Sequence, residues 1–365
     1  MSFYNSKDLE HFCQNVLVKL GVPSEHAYIV TDSLITANLE GVDSHGISRL
    51  AIYGKRLKDK RINPKPNIKI DKKGTSVLLV NGDNGLGQVA SFYAIQRGIE
   101  LVKKTGVCAI GIRQSNHFGT ASYYMQYACK HQVAAIGFTN SPPGIAPWGG
   151  KKPFFGTNPI AFGFPTKDGA SVIIDLSTSV VARGKIILAA KQNECIPNGW
   201  AINEDGIETN DPKEALNGAV LPFGGAKGSA LALAVEILTG VLSGATYGPY
   251  VNNIYSDDSN NPANVGHFFV LLDVAKFMPV DDFSHHLQEL LNDMKNIPTI
   301  SGVSEIRYPG ERRKRERDKR LKIGIPLSEE VVKELKLLGQ SLNLAFPKKR
   351  VKGKGQGKGS REPEP

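Results

Sequence analysis

Long apolar runs are missing from this 365-residue chain. Nowhere do about 18 apolar residues follow one another, so no membrane-spanning helix is expected. The opening Met-Ser-Phe-Tyr-Asn-Ser-Lys-Asp lacks a basic stretch followed by an apolar one, which reads as a cytoplasmic protein without a leader. Cysteine is scarce. Cys13, Cys108, Cys129 and Cys195 show neither Cys-x-x-Cys nor Cys/His ligand spacing, so no disulfide framework and no metal site are expected. They read as buried thiols.

Acidic residues are also in deficit, 35 against 45 Lys and Arg, for a net charge of +10. That surplus first suggests a polyanion-binding module, but its distribution argues against one. Arg312 to Lys322 carries a net +6 and Lys348 to Pro365 a net +5, so the rest of the chain is near neutral. A nucleic-acid binder places such charge on a folded face interleaved with aromatics. Here it lies near or beyond the C-terminal end, and no nucleic-acid or membrane partner is expected.

What is present is ordinary globular material, 41% hydrophobic and 22% charged, and long enough for two lobes. Residues 7–40 read as two helices, the second starting at Ser24. Apolar Ile47, Leu50, Ala51, Gly54 and Leu57 mark a third, beginning near His45. Strands are expected at Ser76–Val80, Val107–Ile112, Ala134–Phe138, Ile160–Phe164, Ser171–Asp175 and 265–273, with helices at Val89–Lys104 and Ala121–His131. The later strands crowd too closely for a pure βαβ repeat, which predicts a mixed α/β sheet. Ser229 to Leu242 reads as a buried helix, and 281–296 and 327–340 as amphipathic ones. The Gly/Lys-rich residues 348–365 cannot bury apolar area and read as a disordered tail.

Four segments have the chemistry of a site. In a helix from His45, the residues His45, Arg49 and Tyr53 share the face opposite the apolar stripe. They would supply a proton carrier and a planar fork for a carboxylate, as a 2-oxo acid requires; a solvated helix face is the alternative. His117, in Ser115-Asn116-His117-Phe118-Gly119, sits between a strand and a helix, as a ligand group or a plain loop histidine. The Gly-, Pro- and Asn-rich stretch from Asn140 to Pro159 is either a polar-ligand grip or a set of tight turns. Gly224-Gly225-Ala226-Lys227 opens a helix, either to hold a phosphate or to pack closely. Gly85-Leu86-Gly87-Gln88-Val89-Ala90 fits a dinucleotide fingerprint, but the next strand ends in Arg113-Gln114-Ser115 without an acidic ribose partner.

Six segments in order, GVDSHGISRL, RQSNHFGTA, NSPPGIAPWGGKKPFFGTNPIAFGFP, IIDLSTSVVARGKI, IPNGWAINEDGIETNDP and LPFGGAKGSALALAVEILTG, resemble the malate/L-lactate dehydrogenase-like family from about residue 7 to about 345. The resemblance implies a non-Rossmann, mixed-sheet lobe for NAD or NADP at 76–274. A smaller helical substrate and dimerisation lobe would be built from 1–75 and 275–347, in a homodimer acting on a small carboxylate. It implies His45 as the proton-transfer residue with Ser44 assisting and His117 as its rival. Arg49, Tyr53 and Thr157 would contact the substrate. Ser141, Asp175, Leu176, Ser177, Lys227, Gly310, Glu311 and Arg312 would contact the cofactor. The basic tail departs from the family pattern. Ser229, where many hydroxy-acid members carry an aromatic, is closer to the cyclic-imine reductases, whereas SNHFG and APWGGK are closer to the malate/lactate branch. The activity implied is hydride transfer to or from a 2-hydroxy or 2-oxo acid, with reduction of a cyclic imine as the alternative.

Overall fold

The computed structural model describes residues 1–166, 171–254 and 261–350; the tail residues 351–365 lie outside them. A seven-stranded sheet runs in the order Lys69–Lys72, Val77–Asn81, Val107–Ser115, Val265–Asp273, Val133–Thr139, Ile160–Phe164, Val172–Leu176. Only Val77–Asn81 and Val107–Ser115 pair in parallel, because the helix Gly87–Thr105 supplies the crossover such a pair needs. The other neighbours are antiparallel, so the sheet is mixed as the crowding of strands requires. Val265–Asp273 occupies the middle although it comes late in the chain, and its alternation of buried and half-buried residues fits a strand flanked on both edges.

The helices Gly87–Thr105 and Ala121–Lys130 cover one face of the sheet. Gly98 allows the first to approach closely, since a Cβ there would stand 2.5 Å from Ile110 Cδ1 and 2.8 Å from Leu271 Cδ1. Ala94, Ile95, Ile110, Phe269 and Leu271 fill this core without exposure, each large side chain contributing about 1.5–3 kcal/mol.

A second core joins the two ends of the chain. The helices Ser6–Lys19, Ser24–Leu39 and Leu50–Lys58 pack with Ile325, Leu327, Val332 and Leu335, and the strand Ser2–Tyr4 pairs antiparallel with Ile325–Leu327. Ser24–Leu39 is buried on nearly every side, because it lies between Ser6–Lys19, the sheet-covering Gly87–Thr105 and the helix Glu311–Ile323.

Several expectations are corrected. The segment 229–242 is not a buried helix. An α-helix over Ala226–Glu236 passes into a π-helical Ile237–Leu242, and Leu231, Leu233, Ile237, Val241 and Leu242 are exposed. The basic run Arg312–Lys322 forms most of the helix Glu311–Ile323, with Arg320 buried. Cys195 is exposed, whereas Cys13, Cys108 and Cys129 are buried. A three-stranded sheet of Ala201–Ile202, Glu208–Thr209 and Ala219–Val220 was not legible from periodicity, because two-residue strands carry none. Among the described residues no helix is long and apolar enough to cross a membrane.

Candidate active site

The turn after Ser24–Leu39 is organised by Asn38, whose amide donates to Asp43 Oδ1 at 2.7 Å while its carbonyl accepts from the Ile47 amide at 2.7 Å. Gly46 fits only without a side chain, since its Cβ would stand 2.2 Å from Asn38 Oδ1. Asn38 therefore breaks the helix expected from His45 into two 3-10 turns, Asp43–His45 and Ile47–Arg49, with Gly46 extended between them. The α-helix starts at Leu50, and Tyr53 lies in the core at 2% exposure rather than on a polar face opposite it.

Tertiary packing nevertheless assembles the residues that the sequence singles out. His117, in the loop after Val107–Ser115, comes beneath this turn, and its ring stacks on His45 with centroids 5.5 Å apart and planes at 29°. The Tyr53 hydroxyl lies 2.6 Å from His117 Nδ1. Ser44 Oγ lies 2.9 Å from His45 Nδ1, and Arg49 Nε donates to the Ser44 carbonyl at 2.5 Å.

Burial dominates the electrostatics. It lowers His45 to about 4, with Arg49 and Arg313 adding to the depression and Asp175 opposing it. His117 is pushed well below the ordinary imidazole range by burial, then by His45, Arg49 and His267, so both rings are neutral at pH 7. Burial raises the Tyr53 phenol to about 12.

The residues expected to meet a cofactor follow the edge strand Val172–Leu176. Gly310 lies against its start, where a Cβ would stand 3.1 Å from the Ser171 carbonyl, and the Ile173 amide donates to the Pro309 carbonyl at 3.1 Å. Asp175 Oδ2 accepts from the Ser122 amide at 3.1 Å and from Arg313 at 3.2 Å. Ser177 lies 2.8 Å from Ser179, hydroxyl to hydroxyl, and Leu176 is exposed. Further on, the Thr178 amide donates to the Thr157 carbonyl and the Thr157 amide to Ser141 Oγ at 3.0 Å. The Phe223 amide, bonded to the Thr178 carbonyl, leads to the helix that begins beside Lys227.

This donor set fits a dinucleotide. No side chain caps the first turn of Ala226–Glu236, which leaves backbone N–H groups beside the exposed Lys227 for a phosphate. A Cβ at Gly144, Gly149 or Gly224 would meet nothing within 4 Å, so the surrounding loops leave open space. The glycine fingerprint at 85–90 serves packing instead, since a Cβ on Gly87 would stand 2.1 Å from the Asn116 carbonyl.

Of the C-terminal residues, Glu311 accepts from Lys295 at 2.5 Å and from the Tyr308 amide at 3.1 Å. Arg312 is exposed with a guanidinium nitrogen near Gly41, and it is Arg313 that reaches Ser122, Glu40 and Asp175. Sequence reasoning did not select Asn38, Gln88, Ser122, Glu236 or Arg320 for the site, and it offered Arg313 only as either a 2′-phosphate contact or a solvent-facing residue. Asn38 sits inside a helical pattern and Gln88 inside a glycine fingerprint that lacks its acidic ribose partner, and nothing in a basic run distinguishes the arginines that turn inward.

The malate/L-lactate dehydrogenase family profile matches residues 4–336. The chain belongs to that family. It is 41% identical over 329 residues, 90% of this chain and 95% of the relative, to the malate/(S)-sulfolactate dehydrogenase of Methanothermus fervidus. Identity is 36% to the (2R)-3-sulfolactate dehydrogenase (NADP(+)) of Chromohalobacter salexigens, covering 90% of this chain and 96% of that one. It is 31% to the ureidoglycolate dehydrogenase (NAD(+)) of Escherichia coli K12, covering 83% and 86%. Among solved structures, the sulfolactate dehydrogenase of Methanocaldococcus jannaschii superposes with a TM-score of 0.89 at 37% identity, over 95% and 98% of the two chains. The Δ1-piperideine-2-carboxylate reductase of Pseudomonas syringae superposes with 0.83 at 29%, over 93% and 100%.

Proposed function

We propose that this dehydrogenase interconverts a small 2-hydroxy acid and its 2-oxo acid, of the malate or sulfolactate type, with NAD or NADP. The observation that carries this reading is the meeting of His45, His117, Tyr53 and Arg49 next to Asp175 on the edge strand. The bound nicotinamide would supply or accept the hydride. The substrate carboxylate is gripped by the Arg49 guanidinium, whose planar fork matches it. His45 exchanges the proton of the C2 oxygen, with Ser44 holding Nδ1 so that Nε2 is the exchanging nitrogen. Thr157 borders the substrate. Ser141, Asp175, Leu176, Ser177, Lys227, Gly310, Glu311 and Arg312 line the cofactor.

The two cores support a division into a cofactor lobe over 76–274 and a helical lobe from 1–75 and 275–347, with Lys69–Lys72 joining the large sheet and Leu86 and Val89 packing into the helical core. We take the enzyme to be a cytoplasmic homodimer; the exposed apolar side chains of 231–242 support the pairing of subunits.

A cyclic-imine substrate is the second reading, supported by the likeness to the piperideine-2-carboxylate reductase and by Ser229, whose hydroxyl accepts from the Trp148 amide. The test is loss of absorbance at 340 nm with NADH or NADPH against pyruvate, oxaloacetate, sulfopyruvate and cyclic imines. Oxidation with a 2-oxo acid supports the first reading. Oxidation with an imine alone replaces it.

A further inference from the structure

The glycine fingerprint at 85–90 packs against the loop of His117, and its Gln88 is fully buried. Gln88 Nε2 donates to the Tyr53 hydroxyl at 3.0 Å, and that hydroxyl lies 2.6 Å from His117 Nδ1. The Gly119 amide points at the same Nδ1 from 3.4 Å. At 3.4 Å this contact is too long to fix the tautomer by itself, but a backbone N–H can only donate, so it agrees with Nδ1 as the acceptor and with the Tyr53 proton pointing to it. The phenol oxygen then needs a donor of its own, and the Gln88 amide supplies it.

We propose that Gln88, acting through Tyr53, is a positioning residue that fixes His117 as its Nε2–H tautomer. Resting on the function proposed above, this makes His117 a hydrogen-bond donor to the C2 oxygen rather than a base. The directions of the two bonds are then set, Gln88 to Tyr53 and Tyr53 to Nδ1, which leaves Nε2–H as the donor of the ring stacked on His45. A neutral imidazole already protonated at Nε2 cannot accept a second proton there, so proton exchange falls to His45. Tyr53, its hydroxyl committed on both sides, acts on His117 and not on the substrate.

The test is the ring-nitrogen spectrum of the full chain labelled with 15N-histidine, with His117 assigned by its loss in His117→Gln. The expected wild-type pattern at pH 7 is protonated Nε2 and unprotonated Nδ1. Gln88→Leu should mix the tautomers and lower kcat between about 10- and 100-fold, with the cofactor KM unchanged. If Gln88→Leu does not fold, Tyr53→Phe keeps the ring in the core and should give the same mixing. A wild-type Nδ1–H pattern overturns the proposal, as does an unchanged spectrum in whichever variant folds. The spectrum needs no substrate, so an Nε2–H tautomer in an enzyme silent toward every 2-oxo acid would sink the functional reading and leave the tautomer assignment standing.

Discussion

Arg320 and Asp43 form a two-pronged pair, with guanidinium nitrogens 2.6 and 3.0 Å from the two carboxylate oxygens. The same arginine donates to the Asn38 carbonyl at 2.6 Å, so the helix Glu311–Ile323 holds the turn that presents Ser44 and His45. Arg320→Met should lower kcat about tenfold by loosening this turn. Because the Asp43 side chain is 46% exposed, the stability loss should be modest, about 1–2 kcal/mol. Thermal melting and steady-state kinetics check both; unchanged kcat would deny the turn its dependence on the helix Glu311–Ile323.

His45→Ala should nearly abolish turnover while cofactor still binds, as read by nucleotide fluorescence. With His45 as the proposed base, oxidation of the hydroxy acid requires it neutral, so with its pKa lowered to about 4 the wild-type kcat/KM should be flat near neutrality and fall only as pH approaches 4. Wild-type turnover in His45→Ala would move proton transfer to His117.

Acid stability follows from three depressed histidines. Burial lowers His45 to about 4, His267 to about 3 and His117 in the same direction, whereas the unfolded chain binds these protons near pH 6.5. Between pH 6.5 and 4 the unfolded state holds more protons than the folded one, so stability rises with pH and is lost as pH falls through this window. The melting temperature should therefore drop on acidification from pH 7 to 4.5. His267→Gln should flatten that slope, and an unaltered slope would count against the burial argument.

Glu236 lies at 3% exposure beneath the Ser141 and Thr157 loops. Its carboxylate accepts from Asn140 at 3.3 Å, Asn158 at 3.1 Å and the Gly248 amide at 3.3 Å, bonds that reduce but do not cancel the upward push of burial, so its pKa stays raised. Glu236→Gln would turn an amide NH2 against these donors. It should cost about 1–3 kcal/mol of stability and raise the cofactor Kd several-fold, both measurable by melting with and without nucleotide. A normal Kd in a destabilised variant would confine Glu236 to folding.

Six strands of the large sheet and the helices that cover it were legible because each alternates or repeats its apolar residues over five or more positions, whereas the edge strand Lys69–Lys72, with Ile70 as its one apolar residue, was not. Ile160–Phe164 lies where its pattern places it, and Val265–Asp273 likewise. His45, Arg49 and His117 were legible as polar groups with a chemistry beside turn residues. The family likeness, carried by six ordered motifs, was also a property of the sequence alone.

Only the tertiary structure decided how those groups meet. A helical period would carry His45, Arg49 and Tyr53 on one continuous face, but Asn38 accepts the Ile47 amide and breaks that helix, so that Tyr53 turns inward to His117. Likewise nothing in Arg312–Lys322 distinguishes the arginines that enter the interior, because the carboxylates of Asp43 and Asp175 that draw them in are supplied by segments more than a hundred residues away. Local periodicity fixes which residues face a core, whereas the partners of a buried charge are set by contacts between distant segments, and those exist only once the chain has folded.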